Sequence, residues 1–207
     1  MMNETGRVDA FSDGIFAIAI SLLVFEIKTP ARSGNGLWHD LARQWPSYAA
    51  YVVTFLVIGI MWINHHQMFG LIRRVDRPIL FLNLALLMTV AVLPWPTAMM
   101  AEYLESGDDS HAAAAVYSLV MILHSFCFQA LWWHLTKSGH LFDHRVDLPA
   151  ARALRKRFAL GSIIYPVTFA LAFVSALATL AVLAVMALYY AFDQLPVPVK
   201  EHANIAQ

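Results

Sequence analysis

The sequence carries little charge for its length, and this scarcity excludes several classes of protein. Asp, Glu, Lys and Arg make up 14% of the 207 residues, whereas a soluble domain has about 25%. Acidic and basic residues balance, so the formal net charge is zero and the basic footprint of a nucleic-acid-binding protein is missing. Because 59% of the residues are hydrophobic, we expect an all-α polytopic membrane protein that resides in the lipid bilayer of the cell membrane and binds no nucleic acid.

Cysteine is equally scarce, and recognisable catalytic motifs are missing. Cys127 is the single cysteine, which excludes an internal disulfide and a zinc–thiolate cluster. The sequence shows no Ser-His-Asp triad, no Walker loop and no pair of catalytic carboxylates. We therefore expect a protein that is not an enzyme and that holds no cofactor and no resident metal.

Long apolar runs are what the sequence has in abundance, and they predict six membrane spans in a single domain, residues 1–207. A helix needs about 20 apolar residues to cross a hydrocarbon layer of roughly 30 Å. The uncharged run 158–192 would form roughly 50 Å of helix, which is too long for one span, so we divide it near Val174 and Ser175. The predicted spans are residues 8–27, 47–72, 78–100, 112–136, 158–174 and 176–192.

The distribution of basic residues predicts that both termini are cytoplasmic. An even number of spans places both termini on one side of the membrane, together with the basic loop 73–77 and the basic linker 137–157. The opposite side has the acidic loop 102–110 and three basic residues, Lys28, Arg32 and Arg43. Short cytoplasmic loops are enriched in Lys and Arg, so the side that holds the termini should face the cytoplasm.

The first span, within RVDAFSDGIFAIAISLLVFEIK (residues 7–28), has one apolar stripe and a carboxylate on a different face. At about 100° per residue, Ile18, Leu22 and Phe25 are stacked on one side of a helix, and Phe11, Gly14 and Ser21 lie close to the same stripe. Asp13 lies about 140° away from Ile18. On periodicity alone this stripe favours packing against another helix, with lipid or a pore as alternatives.

A carboxylate near the edge of the bilayer core is costly unless it is paired or hydrated. We therefore expect Asp13 and Ser12 to belong to a buried polar cluster with groups from other parts of the chain. The candidate partners are Arg7, Asn64, His65, His66 and Asn83.

The adjacent histidines His65 and His66 also suggest a haem or metal site, with His124 and His134 as further ligands. Neighbouring residues of a helix point about 100° apart, so two adjacent histidines cannot easily hold one ion together. A hydrogen-bonded cluster near Asp13 is the favoured interpretation.

The pattern Arg7-x-x-x-Phe11-Ser12-Asp13-Gly14, followed by Ala17-Ile18 and Leu22-Leu23-x-x-Glu26, resembles the signature of the transmembrane protein 175 family. These proteins are endosomal/lysosomal potassium channels and their prokaryotic six-helix relatives. The resemblance covers the whole length, as one six-helix unit. It implies a homotetramer around a central pore that is lined by the first helix and conducts potassium ions.

The resemblance also implies roles for individual residues. The pore constriction would consist of Ile18, Leu22 and Phe25, where the family usually has leucine at the third position. Ser21 would stand where the family often has threonine and would retain a hydroxyl layer in the pore. The residues Arg7, Phe11, Ser12, Asp13 and Gly14 would support helix packing rather than conduct ions.

A constriction of this kind predicts leak-like currents with modest selectivity for potassium over sodium. The sequence contains no Thr-Val-Gly-Tyr-Gly segment, so a filter of backbone carbonyls is not expected, and an apolar ring gates by dewetting. Two alternatives stay open. One is an intramembrane haem or metal protein that uses the histidines, and the other is a proton pathway through Asp13, Glu26 and His65 or His66.

Overall fold

The computed structural model describes residues 4–31 and 33–192, and these residues are mostly helical. Within them, nine α-helices follow one another, and a 3₁₀ turn at Leu23–Glu26 directly continues the first. The helices are α1 Glu4–Leu22, α2 Leu37–Ala42, α3 Trp45–Gly70, α4 Arg77–Val92, α5 Pro94–Tyr103, α6 Asp108–Ser138, α7 Leu148–Ala153, α8 Arg155–Ala172 and α9 Ala176–Phe192.

Four helical segments are long and apolar enough to cross a membrane, and each coincides with one of the first four predicted spans. They are Thr5–Glu26, Trp45–Gly70, Arg77–Tyr103 and Asp108–Ser138. The predicted fifth and sixth spans correspond to α8 and α9, which contain shorter apolar stretches. The break between these two helices falls at residues 173–175, close to the predicted division.

The third of these segments is divided where a proline interrupts its hydrogen bonds. Helix α4 ends at Val92 and α5 begins at Pro94, whose ring removes a backbone donor. Leu93 nevertheless keeps right-handed helical angles (φ −56°, ψ −35°), and its carbonyl accepts a bond from the Thr97 N–H at 3.2 Å. The helical conformation therefore continues through Leu93 to Tyr103.

The main core is formed where α1, α3, α5, α6 and α9 meet. Its fully buried side chains include Phe16 of α1, Leu23 of the 3₁₀ turn, Ile58 of α3 and Met100 of α5. Tyr117 of α6 is also buried there, and its hydroxyl lies 3.0 Å from Thr54 Oγ1. Helix α1 packs against α3 and α4, so one side of this helix is covered within the chain.

A second core closes one end of the helical assembly, where the basic linker folds back. Trp132 of α6 donates a hydrogen bond from Nε1 to the carbonyl of Ala151 in α7, at 3.1 Å. Ile72, after α3, forms an antiparallel bridge with Phe142. The linker, for which no helix was predicted, therefore contains the short helix α7 and is attached to the loop between α3 and α4.

Candidate pore-lining helix and polar cluster

Helix α1 has one face buried in the protein and one face that nothing in the described chain covers. Phe16, Ala19 and Leu23 are at most 1% exposed. Ile18 is 58% exposed and Phe25 is 74% exposed, and Leu22 between them is also exposed. The predicted apolar stripe is therefore an outward-facing surface of the protomer.

The other predicted stripe residues, Phe11, Gly14 and Ser21, are also exposed, and so is Arg7. A Cβ added at Gly14 would meet no atom within 4 Å. The role of Phe11 and Gly14 in helix packing stays a prediction. Of the Phe-Ser-Asp-Gly motif, Ser12 is the residue that is fully buried.

The end of the first span differs from the continuous helix that the sequence suggested. Residues Leu23–Glu26 form a 3₁₀ turn, after which Ile27 is extended. Pro30 disfavours a helical conformation at Thr29 and has no N–H to bond to the Glu26 carbonyl, so no helix continues beyond this turn. Side chains three residues apart eclipse each other in a 3₁₀ helix, so Phe25 lies directly beyond Leu22 on the outward face.

Ser12, Asn83 and His65 form a buried hydrogen-bonded chain that joins α1, α4 and α3. Asn83 Nδ2 donates to Ser12 Oγ at 3.0 Å, and Ser12 Oγ donates to the carbonyl of Val8 at 2.8 Å. Asn83 Oδ1 lies 2.8 Å from His65 Nε2. Because Asn83 Oδ1 can only accept, His65 Nε2 must carry the proton. The structure thus brings together three residues of the predicted polar cluster.

Packing fixes the His65 ring in this position. The ring stacks on Phe69 with centroids 4.3 Å apart and lies 5.4 Å from the Phe16 ring. His65 is completely buried, and its second nitrogen, Nδ1, has no hydrogen-bond partner. An aromatic pocket on one side and one hydrogen bond on the other therefore hold the imidazole.

Asp13 is not part of this chain, contrary to the expectation that it would join Ser12. Its Oδ1 accepts a hydrogen bond of 2.8 Å from Trp62 Nε1 of α3. Consecutive residues of a helix point about 100° apart, so Ser12 can face the core while Asp13 faces the flank of α3. Trp62 was not among the predicted partners of Asp13, although it lies on α3 one turn before the candidate His66.

His66 and Asn64 also lie apart from the buried chain. His66 is exposed, stacks on Trp62 and places Nδ1 3.8 Å from Asp9 Oδ2. Asn64 lines a cavity of about 90 Å³ between α3, α6, α8 and α9. Of the predicted cluster, then, Arg7, Asn64 and His66 form no hydrogen bond with Ser12, Asn83 or His65.

The histidines do not converge on a single site in the described part of the protein. His124 Nδ1 is 2.9 Å from Thr89 Oγ1, and His134 Nε2 is 2.8 Å from Asp76 Oδ2. Each histidine of the suggested haem or metal set therefore has a separate partner. A different group, Asp9, Asp13 and His66, has ligand atoms within 4.8 Å of one another and has the composition of a cation site.

Comparison with known proteins identifies the family. The family model described as endosomal/lysosomal potassium channel TMEM175 matches residues 7–94. The protein is 66% identical over 203 residues to "Potassium channel B446_29190" of Streptomyces collinus, covering 98% of both chains. It is 30% identical over 135 residues to "Endosomal/lysosomal proton channel TMEM175" of Gallus gallus, covering 61% of this chain and 27% of the chicken protein.

A solved structure agrees with these sequence matches. The crystal structure of a lysosomal potassium-selective channel TMEM175 homolog from Chamaesiphon minutus superposes with a TM-score of 0.82 at 40% identity. The match covers 92% of this chain and 97% of that one, so it extends over the four long helices and beyond the region that the family model matches. On sequence and on fold, this chain belongs to the TMEM175 channel family.

Proposed function

We propose that this protein is a potassium-permeable cation channel whose pore is lined by the outward face of α1. The observation that carries the proposal is the exposure of Ile18, Leu22 and Phe25 in the protomer. A continuous row of large exposed apolar side chains is explained either by another surface that covers it or by a functional role as an exposed surface. The potassium channels among the relatives support the second explanation.

A pore of this kind requires several copies of the chain, and α1 has a surface suited to their contact. One helix cannot enclose a path, and the family implies a homotetramer. Beside the bulky row runs a row of small exposed residues, Ala10, Gly14 and Ala17, at helical spacing. Small residues let membrane helices approach closely, so this second row can contact the next subunit while the bulky row faces the axis.

The bulky row would form a hydrophobic constriction. Ile18 to Leu22 spans four α-helical steps and Leu22 to Phe25 three 3₁₀ steps, so the row is roughly 12 Å long. Rings of such side chains supply no oxygen ligands and gate by dewetting. An ion must lose part of its hydration shell to pass, and potassium gives up water more easily than sodium, which accounts for modest selectivity.

Ser21 can provide a polar layer within this row. Its Oγ donates a hydrogen bond of 2.7 Å to the carbonyl of Ala17, so the hydroxyl proton is already engaged. The oxygen lone pairs remain available to a cation. A ring of four such oxygens would offer a potassium ion partial replacement for its hydration water.

We further propose six spans with both termini in the cytoplasm. Helices α8 and α9 have 18 and 17 residues, roughly 26 Å each, close to the hydrocarbon thickness. The Lys28–Glu102 ion pair of 2.9 Å joins the loop after the first span to the acidic loop, so these two loops share a side. The basic loop and the basic linker meet at the other end, where the positive-inside rule places the cytoplasm.

Ion flux from liposomes containing the purified protein tests this function. With potassium, sodium, caesium and protons compared, we expect potassium to leave faster than sodium and proton flux to be small. Folded, reconstituted protein that releases no potassium would contradict the proposal.

A proton pathway is the second candidate, because the chicken relative is named a proton channel. The buried chain from His65 to Ser12 lies beside α1, yet it ends at the Val8 carbonyl, which cannot pass a proton on. We therefore rank this candidate second. A current that follows the pH gradient and is unchanged when potassium is replaced would reverse the order.

A further inference from the structure

A basic pocket of about 420 Å³ lies at the end of the protein where the α3–α4 loop meets the α6–α7 loop. We define this basic pocket by Arg73, Arg74, His140, Asp143 and His144, which are among the residues that line it. We propose that it binds a phosphate-bearing anion and that the bound anion acts on α1. The binding is independent of the proposed channel function, whereas the effect on flux rests on it.

The charges in the basic pocket favour an anion. The carboxylate of Asp143 accepts bonds from the backbone N–H of Arg145 at 3.0 Å and from Arg145 Nε at 2.9 Å. These two bonds hold the pKa of Asp143 below its usual value, so its charge is present but already matched by Arg145. Arg73 and Arg74 form no ion pair with any carboxylate in residues 4–31 and 33–192. Two guanidinium groups are thus left for a ligand.

Guanidinium groups recognise phosphate particularly well. Each presents donors in a planar fork that matches two oxygens of a phosphate or carboxylate. The two histidines are already engaged, since His140 Nδ1 donates to the Ser138 carbonyl at 2.8 Å and His144 Nδ1 lies 3.3 Å from Asp143 Oδ1. The two adjacent arginines therefore supply the recognition, and they suit a phosphomonoester or pyrophosphate group, which carries more negative charge than a single carboxylate.

Backbone contacts hold the basic pocket in shape without using the arginine side chains. The N–H groups of Arg73 and Arg74 both donate to the Leu141 carbonyl, at 2.9 and 3.2 Å, and the Asp143 N–H donates to Leu71 at 2.9 Å. Gly139 has φ +63°, and a Cβ there would lie 3.0 Å from the Leu148 side chain. The backbone around the basic pocket is therefore formed before a ligand binds.

A direct hydrogen bond connects the basic pocket with the first helix. Thr5 Oγ1, in the first turn of α1, donates to the carbonyl of Arg73 at 3.2 Å, and Thr5 is buried. A ligand that draws the Arg73 side chain inward shifts the peptide to which α1 is attached. Anion binding is in this way coupled to the helix that we propose as the pore lining.

The phosphate can belong to a lipid headgroup or to a soluble compound, and two binding measurements on the full-length protein in neutral detergent separate these sources. One is calorimetric titration with pyrophosphate, and the other is native mass spectrometry with short-chain phosphatidic acid against phosphatidylcholine. Arg73→Gln/Arg74→Gln should weaken binding about tenfold or more, because it removes charge-assisted hydrogen bonds. Arg77→Gln is the matched control, since Arg77 is exposed at the start of α4, directly after the same loop, and packs over Phe81 instead.

The probes that bind identify the class of ligand that the basic pocket recognises. Binding of phosphatidic acid alone identifies a lipid headgroup, binding of pyrophosphate alone identifies a soluble ligand, and binding of both shows that the phosphate itself is recognised. The proposal is overturned if neither probe binds, or if Arg77→Gln weakens binding as much as the double substitution does.

Thr5→Val tests the coupling, because it keeps the shape of the side chain and removes the hydroxyl. We expect the variant to bind the phosphate probe with unchanged affinity and to lose the effect of that probe on potassium flux. A probe effect on Thr5→Val as large as on the wild type would overturn the coupling. A protein that binds the probe but conducts no potassium would refute the channel function and leave the binding site standing.

Discussion

Ile18 is the residue on which the pore proposal depends most. It is a large apolar side chain at the middle of α1, more than half exposed in the protomer, while Ala19 beside it is buried in the core. An exposed isoleucine by itself needs no explanation. What distinguishes Ile18 is its place in a continuous outward row with Leu22 and Phe25, next to a row of small residues.

Replacing Ile18 with asparagine should reduce selectivity. Each subunit then contributes an amide to the constriction, the amides hold water there, and sodium should pass more nearly as well as potassium. The measurement is the reversal potential with potassium on one side and sodium on the other. Leu22→Asn should shift it in the same direction.

Two further variants control for this prediction. Ile163→Asn places the same amide at a similarly exposed position on α8 and should leave the reversal potential unchanged. Leu23→Ala removes a completely buried side chain and should lower stability rather than selectivity. If tetrameric Ile18→Asn has the conductance and reversal potential of the wild type, this face of α1 is not in the pore.

Asn83 should contribute to stability more than any other single amide of the polar cluster. Asn83→Leu removes both of its hydrogen bonds and leaves the buried His65 Nε2 without a partner, whereas Ser12 Oγ keeps its bond to the Val8 carbonyl. An orphaned buried polar group costs roughly 1–3 kcal/mol, so we expect a loss of this size in unfolding free energy. Chemical unfolding in detergent, followed by tryptophan fluorescence, measures this loss.

Asn64→Leu is the matched control for that experiment. Asn64 lies on α3 next to His65, lines the small cavity and is only half-buried. The same substitution there should cost clearly less. Equal losses for the two variants would show that the hydrogen-bonded chain contributes no specific stability.

At the scale of elements, Asp76 connects the start of α4 with α6. Its Oδ1 accepts a bond of 2.9 Å from the Ile79 N–H and so caps the helix, and its Oδ2 lies 2.8 Å from His134 Nε2. Burial raises the pKa of Asp76, but the hydrogen bonds from His134 and Ile79 outweigh it, so the pKa lies below its usual value. Asp76 is therefore more acidic in the folded protein than in the unfolded chain.

The lowered pKa of Asp76 predicts that acid destabilises the folded protein. The contribution of ionised Asp76 to stability is fully present above the unfolded pKa of about 4, and it is lost as the pH falls through the lower folded value. In Asp76→Asn the cap is retained, since Asn also caps helices, but the titration is removed. The unfolding midpoint of this variant should fall less than that of the wild type between pH 5 and pH 3. Parallel curves for the two proteins would contradict the assignment.

The ends of the elements show what a sequence alone can and cannot reveal. The break between α8 and α9 was predictable, because an uncharged run of that length cannot form a single span. The 3₁₀ turn at Leu23–Glu26 was not, because its side chains continue the pattern of the α-helix before it. The division between α4 and α5 at Leu93 was not predictable either, because a proline in an apolar segment can end a helix or only interrupt its hydrogen bonds.

The residues that share a helix face were easier to predict from the sequence than the residues that they contact on other helices. That Ile18 and Leu22 share one face follows from helical periodicity, which needs no knowledge of other helices, although periodicity alone favoured packing of this face against another helix. The pairing of Asp13 with Trp62 depends on how α1 and α3 pack side by side. Asn64, His65 and His66 are consecutive in sequence, yet they face the cavity, the core and the surface respectively.

At the scale of the whole molecule, the proposed pore requires assembly. The apolar row of α1 can line a path only when several copies surround it. Native mass spectrometry in mild detergent should therefore show a tetramer of the 23.2 kDa chain. A stable monomer that conducts potassium after reconstitution would contradict the proposed pore.

Modification of residue 18 by silver ions shows whether the outward face of α1 lines the pore. Silver ions are close to potassium in size and react with thiols, and Cys127, the single native cysteine, can be removed as Cys127→Ala. Potassium currents are recorded in nitrate solutions before and after silver is added. The two variants compared are Cys127→Ala with Ile18→Cys and Cys127→Ala with Ile163→Cys.

If the outward face of α1 lines the pore, silver abolishes the current of the Ile18→Cys variant irreversibly. The current of Cys127→Ala alone and that of the Ile163→Cys variant should persist under the same conditions. Persistence of the Ile18→Cys current at the level of the Cys127→Ala background would contradict the account.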